Sequence, residues 1–259
     1  MKREKWFLFL VYSYLLIPLM ATFFYSFFRE WNSIFPSGFT FAFYEEIFKD
    51  MEFWLSIGRT IAIAGTSVFL CIVVVLFAMY VILVYHPKWE SYMKLVCTLP
   101  YAIQGVILPI CIIALYANAI SPFDNRILML LSTYCIVILP YVYQGIKNNL
   151  NGVPIRTILE ASQMLGGGKG YTFFSIIVPN IKKGILVSSM LAIAIVFGDF
   201  VVVNMLAGTY FKTAQIYLYE VMKQSSQKTC AIIMVLFLIT FLISFFVFKK
   251  DYKRIDKER

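Results

Sequence analysis

The glycine-rich run GGGKG at residues 166–170 is the stretch of this sequence that most resembles a phosphate-binding loop. A P-loop has the pattern GxxxxGK followed by Ser or Thr, and its backbone amides surround the phosphate groups. Here Gln163 stands where the first glycine belongs, and Gly170 stands where the hydroxyl residue belongs. The run therefore does not predict ATP binding, and we expect this chain to bind no cofactor itself.

Residue sets for catalysis or for metal binding are also missing from the sequence. The apolar stretches contain no HExxH motif, no paired carboxylates and no combination of Ser and His. The five cysteines are scattered without a CxxC pair, and the one histidine, His86, has no nearby Cys or carboxylate pair that would complete a ligand set. We therefore expect the chain to be neither an enzyme nor a metal-binding protein.

One carboxylate, Asp199, stands inside an apolar stretch, VFGDFVVVN. A charged side chain near the middle of a membrane costs about 2.5 to 3.5 kcal/mol, so it is expected to face a protein interior or water. Asp199 and the nearby Asn204 are therefore candidates for lining a solute pathway. The sequence leaves an alternative open, in which a helix ends near Gly198 and Asp199 caps a re-entrant piece that runs to Gly208.

The composition places these residues in an integral membrane protein. Of the 259 residues, 61% are hydrophobic and 14% are charged, whereas roughly 25% are charged in soluble domains. The net charge of +9 does not indicate nucleic-acid binding, because the basic residues lie between apolar stretches and do not cluster on a soluble face.

Six apolar stretches are long enough to cross a membrane, which takes about 20 residues as a helix. We therefore predict an all-α, polytopic fold with a single transmembrane domain over 1–259 and spans at about 6–28, 60–85, 95–119, 127–146, 184–206 and 229–248. Acidic and apolar residues alternate at helical spacing over 39–54, which predicts an amphipathic helix at the membrane interface.

Proline residues should distort the third span. Pro100 and Pro109 lie within it, and each removes a backbone hydrogen bond from a helix. Broken helices at membrane depth are tolerated where they face protein or a water-filled cavity. Tyr101 and Gln104, next to Pro100, are therefore further candidates for the pathway, although packing alone could also explain the prolines.

The segment 152–185 is the longest interior run that the apolar part of a bilayer would exclude. Pro154 suits the first turn of a helix, and apolar residues then recur at three- and four-residue spacing as far as Leu165. Gly166 and the glycines after it should end this helix, because glycine adopts the left-handed conformation found at helix ends. A second apolar run begins at Tyr171 and should stop at Pro179. The segment therefore predicts two short amphipathic elements joined by a glycine turn.

The same segment resembles the EAA loop of permease subunits of binding-protein-dependent ABC importers. That loop reads E-A-A, three residues, G, nine residues, I-x-L-P. All of these spacings recur here, with Ser162 for the second alanine and Val178 for leucine as the only departures. The matching residues are Glu160, Ala161, Ser162, Gly166, Ile176, Val178 and Pro179.

The resemblance implies a type I importer fold and a cytoplasmic loop that docks into a cleft on a separate ATPase subunit. In that case Glu160 would pair with a basic residue of the ATPase, Ala161 and Ser162 would allow close approach, and Gly166 would set the angle between the two short helices. The implied partners are an ATPase dimer that binds ATP and Mg²⁺, a second permease subunit and an extracytoplasmic solute-binding protein. The VFGDFVV region resembles spermidine/putrescine-type permeases, which favours a heteromeric pair and a polyamine or another small polar solute.

The distribution of basic residues predicts the orientation in a bacterial cytoplasmic membrane. With six spans and both termini inside, sixteen of the 23 Lys and Arg residues fall on the inner side and seven on the outer side. The seven outer residues are Arg29, Lys49, Arg59, Arg126, Lys212, Lys223 and Lys228. Because inner loops of membrane proteins are enriched in Lys and Arg, the count predicts an N-in, C-in topology and a cytoplasmic 152–185 loop.

A competing hypothesis is a self-sufficient secondary transporter or channel that uses Asp199 as a proton or cation site. Secondary transporters often carry an internal repeat, and residues 1–126 and 127–259 show no convincing repeat. The sequence therefore favours the ABC permease subunit, without naming its solute.

Overall fold

The computed structural model describes residues 2–30, 37–103, 105–116 and 125–255, and this part of the chain is almost entirely helical. The chain divides into two compact units, which are described separately. The first unit combines Met1–Ile57 with Ile216–Arg259, and the second is Gly58–Gln215. Helices α3 and α12 contribute residues to both units.

The first unit contains the two ends of the chain. Its elements are α1 (Lys2–Tyr25), a short antiparallel hairpin of β1 (Phe28–Glu30) and β2 (Ser37–Phe39), α2 (Ala42–Lys49), the start of α3 (Met51–Tyr85), most of α12 (Ala214–Met222) and α13 (Ser226–Ile255). In α1 the most apolar 18-residue window contains no buried side chain. A helix that is apolar and exposed on all sides is suited to lipid, so α1 has the properties expected of a membrane span.

Polar contacts join α2 and the residue after it, Asp50, to α12 and α13. The Tyr217 hydroxyl donates to Asp50 Oδ2 at 2.6 Å, and Lys228 Nζ forms an ion pair with Glu46 Oε1 at 2.5 Å. The hydrogen bond from Tyr217 holds the pKa of the Asp50 carboxyl below its ordinary value. Burial and the neighbouring Asp50 raise the pKa of the Tyr217 hydroxyl.

The amphipathic helix predicted over 39–54 is divided in the structure. Helix α2 ends at Lys49, and Asp50 has an extended backbone with φ −76° and ψ 108°. The Asp50 carboxylate accepts a hydrogen bond from the Glu52 amide, as a residue that caps a helix N-terminus does. The second span, predicted to start at Thr60, is therefore part of a 35-residue helix that already begins at Met51.

The second unit is built on α3 and on the long helix Arg126–Leu150, which is α6. Its further elements are a 3₁₀ turn (Pro87–Trp89), α4 (Glu90–Thr98), a 3₁₀ turn (Leu99–Ile103), α5 (Ile107–Tyr116), α6 (Arg126–Leu150), α7 (Ile155–Met164), α8 (Lys169–Thr172), a π-helical turn (Phe173–Ile177), α9 (Val178–Asn180), α10 (Lys182–Gly198), α11 (Val201–Leu206) and a 3₁₀ turn (Gly208–Phe211).

Helices α6 and α10 form the most extensive helix pair of this unit, and small residues let them approach closely. A Cβ atom at Gly145 would lie 2.4 Å from Ser188 Cβ, and one at Gly184 would lie 2.0 Å from Asn149 Cγ. Small residues at such crossings are typical of helix packing in membranes. The pair therefore depends on glycine at both positions.

Two of the predicted spans are broken. The third span is bent by 101° between Pro87–Ile103 and Ile107–Tyr116. This break follows Pro100, whereas Pro109 lies in the first turn of α5, where a missing amide costs no helical hydrogen bond. Of the two prolines, Pro100 precedes the bend, and Gly105 lies in the break itself with φ +86°. Residues 117–119 of the predicted span lie outside the described residues.

The fifth span, predicted as one helix over 184–206, is also interrupted. Helix α10 ends at Gly198, Asp199 is extended, and α11 begins at Val201. The structure therefore has the alternative arrangement, in which the helix ends next to Asp199 and a short piece follows as far as Leu206.

By length and composition, three described helices could each cross a membrane, namely Trp6–Tyr25 within α1, α3 and α6. The two bent pairs, Pro87–Ile103 with Ile107–Tyr116 and Lys169–Asn180 with Lys182–Gly198, raise this number to five if each pair forms one span. Ser226–Leu242 in α13 is a further apolar stretch, slightly shorter than the others. This is the architecture of a multi-pass helical membrane protein.

Candidate functional site

The glycine turn after α7 has the backbone geometry that the sequence predicts. Helix α7 runs over Ile155–Met164, and Gly166 follows with φ +81°. The Gly166 amide donates to the Gln163 carbonyl at 2.9 Å, and the Gly167 amide donates to the Ser162 carbonyl at 2.8 Å. These bonds satisfy carbonyl groups at the end of α7, which is the role of a left-handed glycine at a helix C-terminus.

The tip of α7 presents both charged and apolar side chains to the surroundings. Glu160 is 70% exposed and lies 3.6 Å from Arg156 in an i,i+4 ion pair. An exposed pair of this kind contributes at most about 1 kcal/mol, so the Glu160 carboxylate stays available to another cation. Met164 and Leu165 are each 90% exposed. Apolar side chains this exposed beside a charged residue are typical of a surface that binds another protein.

A pair of hydroxyl groups fastens α7 to the helix that follows the turn. Ser162 Oγ and Thr172 Oγ1 are 2.6 Å apart, and Thr172 Oγ1 also donates to the Gly168 carbonyl at 3.0 Å. Because the single Thr172 proton is used in the second bond, Ser162 is the donor in the first. A Cβ atom at Gly167 would lie 2.4 Å from Ser162 Oγ. The two short helices are therefore held together at this point by a hydrogen bond that leaves no space for a side chain at 167.

An aromatic cluster joins the segment after the turn to the end of α3. We define this cluster as the five rings of Phe77, Tyr80, Tyr85, Phe173 and Phe174. The Tyr80 ring lies 5.3 Å from that of Phe173 and 5.4 Å from that of Phe174, centroid to centroid. Phe77 lies 5.3 Å from Phe174, and the Tyr80 and Tyr85 hydroxyl groups are 3.1 Å apart. Ring pairs at such distances contribute about 0.5 to 1.5 kcal/mol each beyond the area that they bury.

The aromatic cluster is not predicted by the sequence. Its members fall on a predicted span and on the second apolar run of the loop, where aromatic residues are expected in any case. Gly170 also lies against α3 in the structure, where a Cβ atom would approach the Tyr80 hydroxyl to 3.2 Å. Lys169 Nζ also lies 5.2 Å from the centre of the Tyr85 ring. The loop is therefore attached to α3 over several residues.

The remaining EAA-like positions lie at the far end of the same segment. The second apolar run, expected to stop at Pro179, continues to Asn180, and the bend of 69° to α10 falls at Ile181. Pro179 is the last residue but one of the continuous helical run Lys169–Asn180 and directly follows the π-helical turn and Val178. Ile176 is 37% exposed, in a π-helical turn. Such turns often occur at functional sites.

Asp199 lies at the break between α10 and α11, and its side chain is engaged by protein groups. Oδ2 accepts hydrogen bonds from the Tyr134 hydroxyl and from the Val202 amide, both at 3.1 Å. A very small space next to it is also lined by Thr60, Thr213 and Gln215. The Thr213 hydroxyl is buried without a hydrogen-bond partner among the described residues. The carboxylate therefore caps α11 and links it to α6.

The other pathway candidates are not gathered around Asp199. Asn204 is exposed and lines a cavity of about 700 Å³ together with Arg126 and Tyr210. Tyr101 lines neither this cavity nor the space next to Asp199, and its ring packs edge-on against that of Tyr141 at 5.2 Å. Gln104 lies outside the described residues. Within the described residues, no group of three or more His, Cys, Asp and Glu side chains could hold a metal ion.

The fold defines a multi-pass helical membrane protein, and comparison with known proteins identifies the family. Residues 89–251 match the model of the family described as binding-protein-dependent transport system inner membrane component. The match covers more than half of the chain and includes the whole of the EAA-like segment. The chain therefore belongs to this family, and the prediction of an ABC importer permease is confirmed.

A curated relative has a similar length. The spermidine/putrescine transport system permease protein PotC of Haemophilus influenzae is 23% identical over 218 residues, which is 84% of this chain and 83% of the relative. The similarity therefore extends over most of both proteins.

Proposed function

We propose that this chain forms half of the translocation pathway of an ABC importer and couples to a separate ATPase through the 152–185 loop. The observation that carries the proposal is the geometry of α7. Its tip exposes Glu160, Met164 and Leu165. Ser162 binds α7 to Thr172 of α8, and the aromatic cluster attaches the segment after Thr172 to α3. Because α7 is exposed at its tip and attached to α8, a partner bound at the tip could displace α7 and, through it, the attached helices.

The proposed topology has six spans with both termini in the cytoplasm. Five of the spans correspond to the three long helices and the two bent pairs, and the apolar stretch Ser226–Leu242 supplies the sixth. The excess of Lys and Arg in the loops then assigned to the inner side supports this orientation. It places α7 on the side where ATP is available.

The proposed mechanism is alternating access. Closure of an ATPase dimer around ATP and Mg²⁺ displaces the tip of α7, and the Ser162–Thr172 bond carries the displacement to α8. The aromatic cluster then transmits it to α3, and the 69° bend transmits it to α10. Small displacements become a switch between two states because packed interfaces are bistable.

The proposed partners follow from the family. One such chain supplies half of a translocator, so a second permease subunit completes it, and we propose a heteromeric pair. An extracytoplasmic binding protein delivers the solute, and the complex lies in a bacterial cytoplasmic membrane. Hydrolysis takes place in the ATPase, so this chain needs no cofactor and no catalytic residue.

The proposed solute is a polyamine or another small polar or ionic molecule. This proposal rests on the similarity to the spermidine/putrescine permease PotC and on the carboxylate of Asp199. In the proposed pathway, Asp199 and Asn204 come from the α10–α11 region, and Tyr101 and Gln104 come from the region after Pro100.

Purification of the tagged chain from its native membrane tests the coupling role. We expect a P-loop ATPase to accompany the wild-type chain and to be lost from a Glu160→Lys variant, because the reversed charge would repel a basic cleft. Site-directed labelling gives the orientation. A cysteine at exposed Gln163 should be inaccessible to a membrane-impermeant thiol reagent in whole cells, whereas a cysteine at exposed Gln224 should react. Reaction at 163 would refute the proposed topology.

A secondary transporter is the second candidate, and the position of Asp199 at a helix break favours it. Broken helices near the middle of the membrane carry the coupling-ion sites of many secondary transporters. The two functions are separated by reconstituting the purified chain alone in liposomes. Solute uptake that is driven by an ion gradient without any ATPase would support the second candidate and refute the first.

A further inference from the structure

A cavity of about 670 Å³ opens between the ends of α4 and α6 in the second unit. It is distinct from the EAA-like loop and from the surroundings of Asp199. Its lining consists mainly of basic and amide side chains. The lining residues are Pro87, Lys88, Glu90, Ser91, Lys94, Tyr143, Gln144, Lys147, Asn148 and Asn151.

The charge of this cavity is positive. Three lysines and one glutamate line it, which leaves a formal charge of +2. Lys147 is already paired, because its Nζ forms an ion pair with Glu90 Oε1. Lys88 and Lys94 are exposed, and neither forms an ion pair with a residue in the described part of the chain. Two uncompensated cations therefore face a space that also offers amide and hydroxyl donors from Gln144, Asn148 and Ser91.

The neighbouring surface is suited to the membrane interface. Trp89 and Tyr92 flank the cavity in sequence and are 63% and 67% exposed. Leu95 and Val96, one turn further along α4, are 64% and 63% exposed. Trp and Tyr are enriched where a membrane helix meets the headgroups, and exposed aliphatic side chains beyond them are suited to acyl chains. A molecule in this cavity would therefore have its charged part among the lysines and its apolar part along α4.

We infer that this cavity binds the phosphate-containing headgroup of an anionic phospholipid. Basic cavities between membrane helices on the cytoplasmic side are typical binding sites for such headgroups. Lys88 and Lys94 supply the attraction for the phosphate, and the amides of Gln144 and Asn148 supply neutral donors. The inference uses the proposed function only to assign the site to the inner leaflet, since the cavity and its charge do not depend on transport.

Free phosphate shares the recognised chemistry, and the exposed apolar residues favour the lipid. Inorganic phosphate would use the lysines but would gain nothing from Trp89, Tyr92, Leu95 and Val96. A lipid uses both surfaces at once. An acidic patch on a partner protein is a different hypothesis, and the experiment treats it as an opposing outcome.

The test measures lipid retention by the transporter, purified in detergent with the subunits that accompany it. Native mass spectrometry compares phosphatidylglycerol with phosphatidylcholine, each added at the same concentration. We expect the wild type to retain phosphatidylglycerol preferentially. In the Lys88→Gln, Lys94→Gln double variant, we expect the apparent affinity for phosphatidylglycerol to fall about 30-fold, or about fivefold for each lysine.

A matched variant with Lys182→Gln and Lys183→Gln controls for general surface charge. These two lysines are also exposed, they are the first two residues of α10, and they do not line the cavity. We expect this control to keep the lipid preference of the wild type. An equal loss in both double variants would overturn the inference, because it would show a diffuse charge effect.

Two arms use the wild type alone, so they do not depend on the folding of any variant. Inorganic phosphate is added as a competitor, and displacement of phosphatidylglycerol at submillimolar phosphate would assign the cavity to free phosphate and overturn the lipid inference. Absence of any preference for phosphatidylglycerol over phosphatidylcholine would also overturn the lipid inference. This is the result expected if an acidic patch of a partner subunit occupies the cavity. Solute uptake is not a readout here, so failure of this inference is distinguishable from failure of the proposed coupling role.

Discussion

The substitution Gly166→Val tests whether the shape of the glycine turn is needed for coupling. A Cβ atom at this position would meet no other atom within 4 Å, so the side chain has space. The backbone is the obstacle, because φ is +81° and a residue with a Cβ atom pays about 1 to 2 kcal/mol in the left-handed region. The equilibrium between the native turn and other loop conformations therefore shifts away from the native turn by a factor of about 5 to 30.

Gly168 provides the matched control. A Cβ atom there also meets nothing within 4 Å, but φ is −71°, which any residue adopts. The assay is solute uptake and ATP hydrolysis by the complete importer in proteoliposomes, with membrane insertion measured in parallel. We expect Gly166→Val to lower uptake per ATP hydrolysed at least about fivefold, with insertion unchanged, whereas Gly168→Val should behave as the wild type does. A Gly166→Asn variant should lie between them, because asparagine tolerates positive φ better than valine.

Two results would refute this reasoning. Uptake by Gly166→Val at the wild-type level would show that the left-handed turn is not needed for coupling. Equal loss in the Gly166→Val and Gly168→Val variants would show that the loop tolerates no side chain at all, so that the conformational argument would not apply.

Tyr80→Ala should weaken the attachment of the loop to α3 by about 1 to 3 kcal/mol, since two ring contacts are lost. This variant should lower uptake per ATP hydrolysed, whereas Tyr80→Phe should not, and equal values in the two variants would contradict the role of the cluster. Asp199→Asn should keep the cap and the thermal stability but lower uptake, whereas Asp199→Ala should also lose about 1 to 2 kcal/mol of stability; full uptake by a stable Asp199→Asn variant would exclude the pathway role. Gly145→Val should destabilise the α6–α10 pair by about 1 to 3 kcal/mol, measured by thermal unfolding in detergent, while Gly65→Val, where a Cβ atom meets nothing within 4 Å, should have much less effect. The pKa of Asp50 is lower in the folded chain than in the unfolded chain. Its hydrogen bond with Tyr217 therefore stabilises the fold above about pH 4, and this stabilisation is lost as the pH falls through the lowered pKa. Thermal unfolding of Asp50→Asn should depend less on pH in the acid range than that of the wild type, and an unchanged pH profile would contradict this.

The glycine turn could be predicted from the sequence because its causes are local. A helix that ends at three consecutive glycines needs no distant partner, and Gly166 adopts the expected left-handed conformation. The family could also be predicted, since the EAA-like spacing depends only on residues close together in the chain. Hydropathy likewise predicted the apolar helices, because a bilayer selects for length and composition.

The breaks in the helices were predicted less well. Pro100 and Pro109 look equivalent in the sequence, but only Pro100 precedes the bend, because Pro109 falls in the first turn of the next helix. The interruption at Asp199 was one of two alternatives that the sequence left open. Its side chain bonds to Tyr134, 65 positions earlier in the chain, and local patterns carry no information about such a partner.

The sequence by itself determined that the chain is a helical membrane permease with an exposed glycine-hinged loop, because hydropathy, turn chemistry and motif spacing act over short distances along the chain. Only the tertiary structure showed that Tyr80 meets Phe173, that Ser162 meets Thr172, and that Lys88 and Lys94 share a cavity with the end of α6. The physical reason is that each of these contacts joins two different helical segments. Which side chains of two segments meet depends on how the whole chain folds, and local sequence patterns do not contain that information.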